Sequence, residues 1–440
     1  KSTLTLGDRS DEFVCTEKEM QTTYGPRWRM VIIGAGHCGG RAAQALREFG
    51  WTGAIDLVGM ERHAPYERPP LSKELLTGQK TTSACLLRSS QAMIDDGIRL
   101  HTHRVAAIDT QGRRVTLANG RVLPYLQLLL TTGGAARCLD IPGAELPEVL
   151  TLRTLDDALS LAPRLNAGRS LLVVGGGFIG LEVAASARHL GTRVTLVEGA
   201  VRLLGRTVPA DLADRVLALH REQGVDMRLG VLPERIEPCA QGGVRVRLSD
   251  GSVLEVDSVV VGIGMAPAVE LAGAAGLAVA KGFVVDAGLR ASVPGVFAAG
   301  DVAEFPSPLS GQPMRQETWF NAETQARVSA RNMLGGNETC QQAPWFWSDQ
   351  YDHQLQVCGE PALGCSSVCR DLGEGDHIVF YLDGQGQLVG MSAWGRPERS
   401  AKEFKLARLL VERHVRADPQ ALADPAVKLK SLSAQSPVAA

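Results

Sequence analysis

The sequence predicts an α/β chain with two Rossmann-like nucleotide-binding domains, the second inserted in the first, followed by a C-terminal α+β domain. Three observations predict this. A unit of strand, glycine turn, helix and acid-terminated second strand starts at Arg29 and returns about 140 residues later. Beyond the second copy, Gly295-Val-Phe-Ala-Ala-Gly-Asp301 reads as a strand that must return to the first sheet. From Glu338 the texture changes to bulky aromatics and short alternating runs.

Residues 1–27 are polar and mixed in charge, and read as an N-terminal extension. Arg29-Met-Val-Ile-Ile-Gly34 is a short apolar run entering a glycine turn, as a buried parallel strand should be. Ala42 to Phe49 has helical spacing, and Ala54 to Gly59 reads as the second strand. In the second copy Leu171 to Gly175 is a strand, Leu181 to Leu190 a helix, and Arg193 to Glu198 a strand. The first domain is assigned residues 28–146 and 275–337, the inserted one 147–274, and the α+β domain 338–432 with a tail at 433–440. In the α+β domain His353–Cys358, His377–Leu382 and Gln387–Ser392 alternate as antiparallel strands, before a basic helix from about Ser400 to His414.

At 440 residues the chain exceeds what a single core usually supports. Its net charge of −2 gives no reason to expect nucleic acid or an anionic membrane as a partner. No apolar stretch reaches the length that spans a bilayer, and no secretory pattern opens the sequence, so a soluble cytoplasmic protein is expected. The nine cysteines are odd in number, mostly scattered and without a CxxC pair, which reads as small packing thiols rather than a metal site or disulfide framework.

The chemistry lies in the two glycine turns. Gly34-Ala35-Gly36-His37-Cys38-Gly39 opens a helix whose N-terminal N–H groups and positive potential suit a diphosphate. Glu61, at the end of the second strand, is placed to hold ribose hydroxyls. Gly175-Gly176-Gly177-Phe178-Ile179-Gly180 repeats the turn, with Glu198 in the acidic position. A carboxylate there accepts from a ribose and repels a 2′-phosphate, so NADH is favoured over NADPH; Arg202 lies beyond the motif position. Two dinucleotide sites in one chain suggest a resident flavin in the first and an exchangeable reductant in the second, the flavin converting hydride to single electrons. Asp301 is then placed to bond the ribityl chain of FAD.

Pro65-Tyr-Glu-Arg-Pro-Pro-Leu-Ser-Lys73 is far rarer than GxGxxG. With Thr131-Thr-Gly-Gly134, Gly295–Asp301, Glu317-Thr-Trp-Phe-Asn-Ala322 and Pro344-Trp-Phe-Trp-Ser-Asp-Gln350, it resembles the FAD-dependent ferredoxin reductases of bacterial Rieske aromatic dioxygenase and P450 systems. The resemblance runs from residue 28 to about 430. It implies a glutathione-reductase-like fold, with FAD held by the first glycine turn and Glu61, Arg68, Lys73, Val105, Thr132, Gly133, Asp301 and Trp319, and NADH by the second turn, Glu198 and Gly264. It further implies that Lys73 reaches the reactive edge of the flavin, paired with Glu182 as the catalytic couple. A cation there stabilises negative charge on the reduced ring.

Where the family commonly shows an arginine after Thr-Gly-Ala, this chain has Ala135, and alanine also follows Pro267 in place of the usual asparagine. The redox cysteines of related disulfide reductases and peroxidases are absent from Pro69-Pro-Leu-Ser-Lys-Glu-Leu-Leu76. Electrons should therefore leave the flavin directly for an external acceptor. The implied activity is an NADH:ferredoxin oxidoreductase that feeds an oxygenase through a [2Fe–2S] ferredoxin. The alternatives are reduction of a rubredoxin or small molecule, or nucleotide sensing like that of apoptosis-inducing factors. A monomer or homodimer is expected. Arg396, Arg399, Lys402, Lys405, Arg408, Arg413 and Arg416, set against three glutamates, read either as a solvated helix face or as a docking surface for an acidic ferredoxin.

Overall fold

The computed structural model describes residues 3–8, 11–16, 29–205 and 208–432. From the first glycine turn the main elements are β1 (Arg29–Ile33), α1 (His37–Glu48), β2 (Ala54–Gly59), β3 (Ile98–Thr102) and β4 (Gln127–Leu130). Next come β5 (Val149–Thr151), β6 (Ser170–Val174), α2 (Phe178–His189), β7 (Arg193–Glu198), α3 (Ala210–Glu222), β8 (Asp226–Leu229) and β9 (Ser258–Val261). The chain continues through β10 (Val296–Ala298), α4 (Trp319–Met333), β11 (Trp345–Gln350), β12 (His353–Gly359), β13 (Ser366–Gly373), β14 (Asp376–Leu382), β15 (Leu388–Gly395) and α5 (Pro397–Glu412). Ahead of them, within the expected extension, Thr3–Asp8 pairs antiparallel with Asp11–Thr16, a hairpin that the sequence reading did not anticipate. The rest of that extension and the tail at 433–440 lie outside the described residues.

The chain forms two compact units. One comprises residues 1–67, 83–135 and 266–342, and the other residues 68–82, 136–265 and 343–440. In the first, five parallel strands run in the order β10-β4-β1-β2-β3. The Gly-Asp strand returns as the sequence requires, Val296 to Ala298 pairing with Leu128 to Leu130. The inner strands read as unbroken apolar runs because both faces are covered: Met30, Val31 and Ile32 are fully buried, with Ala42, Ala43 and Leu46 of α1 packed in the same core.

In the second unit β5-β9-β6-β7-β8 form another parallel sheet, and β11-β12-β15-β14-β13 an antiparallel one. Here β11 and β13 are strands that alternation did not reveal, because aromatics fill β11 and β13 is mostly exposed along its length. Residues 68–82, assigned by sequence to the first nucleotide domain, pack within this second unit. The reason is polar: the Ser72 hydroxyl donates to Glu182 and the Ser72 carbonyl accepts from the Ser186 hydroxyl, both on α2.

One buried ionic cluster in the first sheet has a testable consequence. Asp56 on β2 is fully buried, 2.8 Å from Arg29 and 2.6 Å from His101 on β3. Burial pushes its carboxyl up, but the bonds from His101 and Arg29 outweigh this and leave it below the usual aspartate value. The folded protein therefore binds this proton less tightly than the unfolded chain. The resulting stability is complete above about pH 5 and is lost as pH falls through the ordinary aspartate range, near about 3.9, towards the lowered value. Asp56→Asn is expected to cost about 1.5–3 kcal/mol at pH 7 and to flatten that acid limb, as read by urea unfolding between pH 3 and 7. A variant that kept the wild-type acid dependence would assign the limb to other carboxylates.

Candidate functional site

In the first unit the glycine turn is sterically determined. Gly34 has φ +112°, and a Cβ there would lie 2.1 Å from the carbonyl oxygen of Thr131. A Cβ on Gly39 would lie 1.9 Å from the carbonyl of Gly34. These positions let β1 turn sharply into α1. The helix starts after Gly36 with no side-chain cap and no acid in its first turn, leaving its N-terminal donors available to an anion. Ala35 lies against Gly59, at the end of β2.

Glu61 accepts a hydrogen bond from the Tyr66 hydroxyl, which fixes its carboxylate beyond the end of β2. Val105 is buried at the start of a short strand. The Thr132 hydroxyl donates to the carbonyl of Ala268 at 2.7 Å, and the Gly133 carbonyl accepts from Ala268 N–H. Gly300, at φ +77°, donates its N–H to Gln325 at 2.8 Å, and the Asp301 carbonyl accepts from Arg315. Trp319 opens α4, its ring 5.5 Å from that of His37.

Sequence reasoning missed a charged cluster here. His37 Nε2 lies 2.6 Å from Glu323, and Arg41 Nε lies 2.7 Å from the same carboxylate. Burial raises the Glu323 carboxyl, but His37 and Arg41 outweigh it and hold it low. The signal was present, since His37 stands inside the glycine motif and Glu323 one residue beyond Glu317–Ala322. Cys38 is buried against Gly300, where burial and the charge of Asp301 push its thiol well up. That makes it an inert packing thiol.

The second unit repeats the turn with one informative difference. Gly175 has φ +109°, and a Cβ on Gly180 would lie 2.1 Å from the carbonyl of Gly175. At Gly177, however, a Cβ would meet nothing closer than the Gly262 carbonyl, at 3.9 Å. Protein packing does not require glycine there, and open space above an uncapped helix start is what a diphosphate needs. Glu198 accepts from Gly176 N–H and Ala200 N–H, each at 2.7 Å, so both carboxylate oxygens are aimed by backbone. Arg202 is spent on the carbonyls of Val208 and Gly205. Phe178 meets Phe346 edge-on at 5.1 Å, Ile179 is 41% exposed, and Gly264, at φ +97°, accepts from Arg137 N–H.

Lys73 and Glu182 lie in one cluster, but not as a bonded pair. Lys73 Nζ contacts Asp349 at 2.7 Å, whereas Glu182 accepts from the hydroxyls of Ser72 at 2.5 Å and Ser348 at 2.6 Å. The expected direct pairing is corrected accordingly: Asp349 has displaced Glu182 as the lysine's partner. Burial lowers the Lys73 ammonium, yet the charges of Glu182 and Asp349 outweigh it and raise it. Glu182 moves up, because burial exceeds the help it gets from Lys73 and the two serines. The asymmetry is physical: the lysine faces two carboxylates and the buried glutamate a single cation it does not touch. Arg68, expected along the flavin, donates to the carbonyl of Arg153.

Eight cysteines are free among the described residues, and no group of three or more histidine, cysteine or acidic side chains among them is arranged to hold a metal ion. No described helix is long and apolar enough to cross a membrane. Around α5, Arg396 pairs with Asp352 at 2.7 Å, Arg399 with Asp376 at 2.9 Å and with Glu374, and Arg408 with Glu412 while lying over the ring of Trp345. Lys402 and Lys405 are exposed. The basic surplus is thus thinner than the helix sequence alone suggests, because Asp352, Glu374 and Asp376 come from other elements.

Comparison with known proteins fits this geometry. Residues 28–326 match the family model described as pyridine nucleotide-disulphide oxidoreductase, and residues 345–433 the one described as reductase C-terminal. The ferredoxin–NAD(+) reductase component of an anthranilate 1,2-dioxygenase system from Burkholderia cepacia is 42% identical, covering 91% of this chain and 98% of that protein. Putidaredoxin reductase from Pseudomonas putida is 37% identical, over 92% and 96% of the two chains. Among solved structures, the covalent putidaredoxin reductase–putidaredoxin complex aligns with a TM-score of 0.88 at 36% identity, over 93% of this chain and 99% of that one. The ferredoxin reductase of the CYP199A2 system from Rhodopseudomonas palustris gives 0.86 at 38%, over 92% and 99%. The two parallel sheets with their glycine turns, and the antiparallel sheet that follows, are therefore those of a pyridine nucleotide-disulphide oxidoreductase with a reductase C-terminal domain, and the chain belongs to that family.

Proposed function

We propose that this chain is an NADH-dependent, FAD-containing ferredoxin reductase, passing electrons from NADH through the flavin to a [2Fe–2S] ferredoxin that serves an oxygenase. The observation that carries the reading is the pair of uncapped helix starts, each followed by an anchored carboxylate, in a chain with no CxxxxC pair. Without a CxxxxC pair to receive them, electrons would leave the flavin for an external acceptor. Two relatives that match over nearly their full length are named as a ferredoxin–NAD(+) reductase component of a dioxygenase system and a putidaredoxin reductase, which supports the reading.

The residues fit the two cofactors. Gly34, Gly36 and Gly39 with the start of α1 would hold the FAD diphosphate, Glu61 its ribose, and Thr132, Gly133, Asp301 and Trp319 the remainder. Gly175, Gly177 and Gly180 with the start of α2 would hold that of NADH, and Glu198 its ribose hydroxyls. FAD supplies the exchange between hydride and single-electron chemistry when bound. Lys73, kept charged by Glu182 and Asp349, supplies positive potential where negative charge accumulates. Lys73→Ala is expected to slow flavin reduction by NADH about 100-fold in stopped flow while FAD stays bound. An unchanged rate would remove Lys73 from the reaction.

The decisive test is turnover. Anaerobic NADH should bleach the bound flavin, and a [2Fe–2S] ferredoxin should be reduced faster than a rubredoxin. Equal or absent ferredoxin reduction would overturn the assignment. Docking on the α5 face would rest on the exposed Lys402, Lys405, Arg413 and Arg416, since Arg396, Arg399 and Arg408 are committed to ion pairs. If this face steers an acidic ferredoxin, the Lys402→Glu/Lys405→Glu double variant loses about three- to tenfold in ferredoxin rate at low salt and keeps its rate with a neutral dye. Full ferredoxin activity would move docking elsewhere.

A further inference from the structure

Behind Glu182 runs a chain of buried hydrogen bonds for which the reaction above gives no role. Ser348 Oγ bonds Glu182 at 2.6 Å, Gln350 Nε2 bonds Ser348 Oγ at 2.9 Å, and Gln350 Oε1 lies 2.8 Å from His220 Nε2 on α3. The chain ends where the Tyr351 hydroxyl lies 3.4 Å from His220 Nδ1. Ser348, Gln350 and His220 are fully buried, and Glu182 is 7% exposed. Alternation along β11 puts Ser348 and Gln350 on one face, which is why two residues spaced by two link Glu182 to a helix of a different layer.

The chain has a direction. Gln350 has its amide nitrogen on Ser348, so its oxygen faces His220 and Nε2 of the imidazole must donate. His220 Nδ1 is then the acceptor for the tyrosine hydroxyl. Every donor points towards Glu182, whose other oxygen accepts from Ser72. Burial holds His220 down at about 4, so the imidazole is neutral near pH 7, as this direction requires. Among the described residues no ionised group shifts His220. The charges around the far end are Lys73 and Asp349, with Glu74 beside the lysine, and Arg188 near Tyr351.

We propose that His220 and Gln350 are positioning residues for Glu182, turning the Ser348 hydroxyl towards it as a donor and so keeping the Oε1 oxygen of the carboxylate an acceptor. If Glu182 were protonated on Oε1 and donated to Ser348, with the serine hydroxyl turned to Gln350, the amide of Gln350 would have to turn over and the His220 proton move to Nδ1. Aligned hydrogen bonds reinforce one another, so the chain opposes that reversal along its whole length. This inference deepens the assignment of Lys73 and Glu182 to the hydride-transfer edge and rests on it.

The test uses the full chain, with and without FAD. 15N NMR of histidine-labelled protein, with His220 assigned from His220→Gln, is expected to show a neutral imidazole protonated on Nε2 from pH 6 to 8. Protonation on Nδ1, or an imidazolium at pH 7, would overturn the proposal. In single-turnover reduction by NADH, Gln350→Leu and His220→Leu should move the acid limb of the pH profile up by about half to one unit. His220→Gln, which keeps a donor for the Gln350 oxygen, should restore the wild-type limb. A purely structural role would give all three variants the same limb, or His220→Gln the same defect as His220→Leu, and either result overturns the inference. Glu182→Gln separates the two readings. Unchanged reduction in that variant removes Glu182 from the reaction, whereas the tautomer of His220 reports on the chain itself.

Discussion

Replacing Glu198 by arginine is expected to reverse nucleotide preference, changing the ratio of kcat/KM for NADH to that for NADPH by about 10²- to 10⁴-fold. The carboxylate is anchored at 2.7 Å by Gly176 N–H and at 2.7 Å by Ala200 N–H, so its oxygens cannot swing away from a ligand on the α2 helix start. Losing a charge-assisted acceptor for the ribose costs NADH about 1.5–3 kcal/mol, and removing a repulsion while adding a cation benefits NADPH by a similar amount. Arg202 does not supply that cation in the wild type, because Val208 and Gly205 carbonyls occupy it. Glu198→Gln gives the control. It keeps an acceptor but removes the charge, so NADPH should improve without the full loss of NADH. Wild-type protein with equal specificity constants for the two nucleotides would show that Glu198 does not select between them.

The second large effect is on stability. Arg370, on β13, is 1% exposed and yet carries an obligatory charge. Its guanidinium reaches the carbonyls of Leu422 at 3.2 Å, Asp424 at 2.8 Å and Val427 at 2.8 Å, and lies 3.3 Å from the carboxylate of Glu403 on α5. One side chain thus donates to carbonyls at the end of a short helix (Pro419–Ala423) and in the segment after it, and ties both to the sheet. Arg370→Ala leaves those carbonyls short of donors, empties a large volume and isolates Glu403. The expected loss is about 3–5 kcal/mol. Arg370→Lys should fall between the two, since it keeps the charge and loses the fork. Denaturant unfolding followed by tryptophan fluorescence reads this directly, with Trp345, Trp347 and Trp394 all in that sheet. A loss under about 1 kcal/mol for the alanine variant would mean that water replaces the guanidinium.

The parallel sheets were legible because their strands are covered on both faces. Arg29-Met-Val-Ile-Ile and Leu171-Leu-Val-Val are short apolar runs that enter glycine turns, and local sequence alone marks them. Glu61 and Glu198 were legible as acids at or just beyond the end of each second strand. What was not legible depends on contacts between residues far apart in sequence. Nothing around Lys73 announces Asp349, 276 residues away, and nothing in the basic α5 segment announces that Asp376 takes Arg399. The same holds for Ser72 and Glu182, which draw residues 68–82 away from the domain in which the linear order places them. Strand β11 escaped because Trp345, Phe346 and Trp347 obscure any alternation of period two.

The return of β10 to β4 has a consequence for the order in which the protein can be made. Leu130 and Ala298 are partners in one sheet, and between them the ribosome must synthesise every strand of the other parallel sheet. At about 5–20 residues per second, that interval lasts roughly ten to thirty seconds, long compared with the folding of many small domains. During it the apolar edge of β4 has no neighbour on one side, while β5 to β9 can already close. The later-encoded nucleotide sheet is therefore the first able to finish, and until residue 298 emerges the nascent chain carries an open strand edge of the kind that invites pairing with another chain.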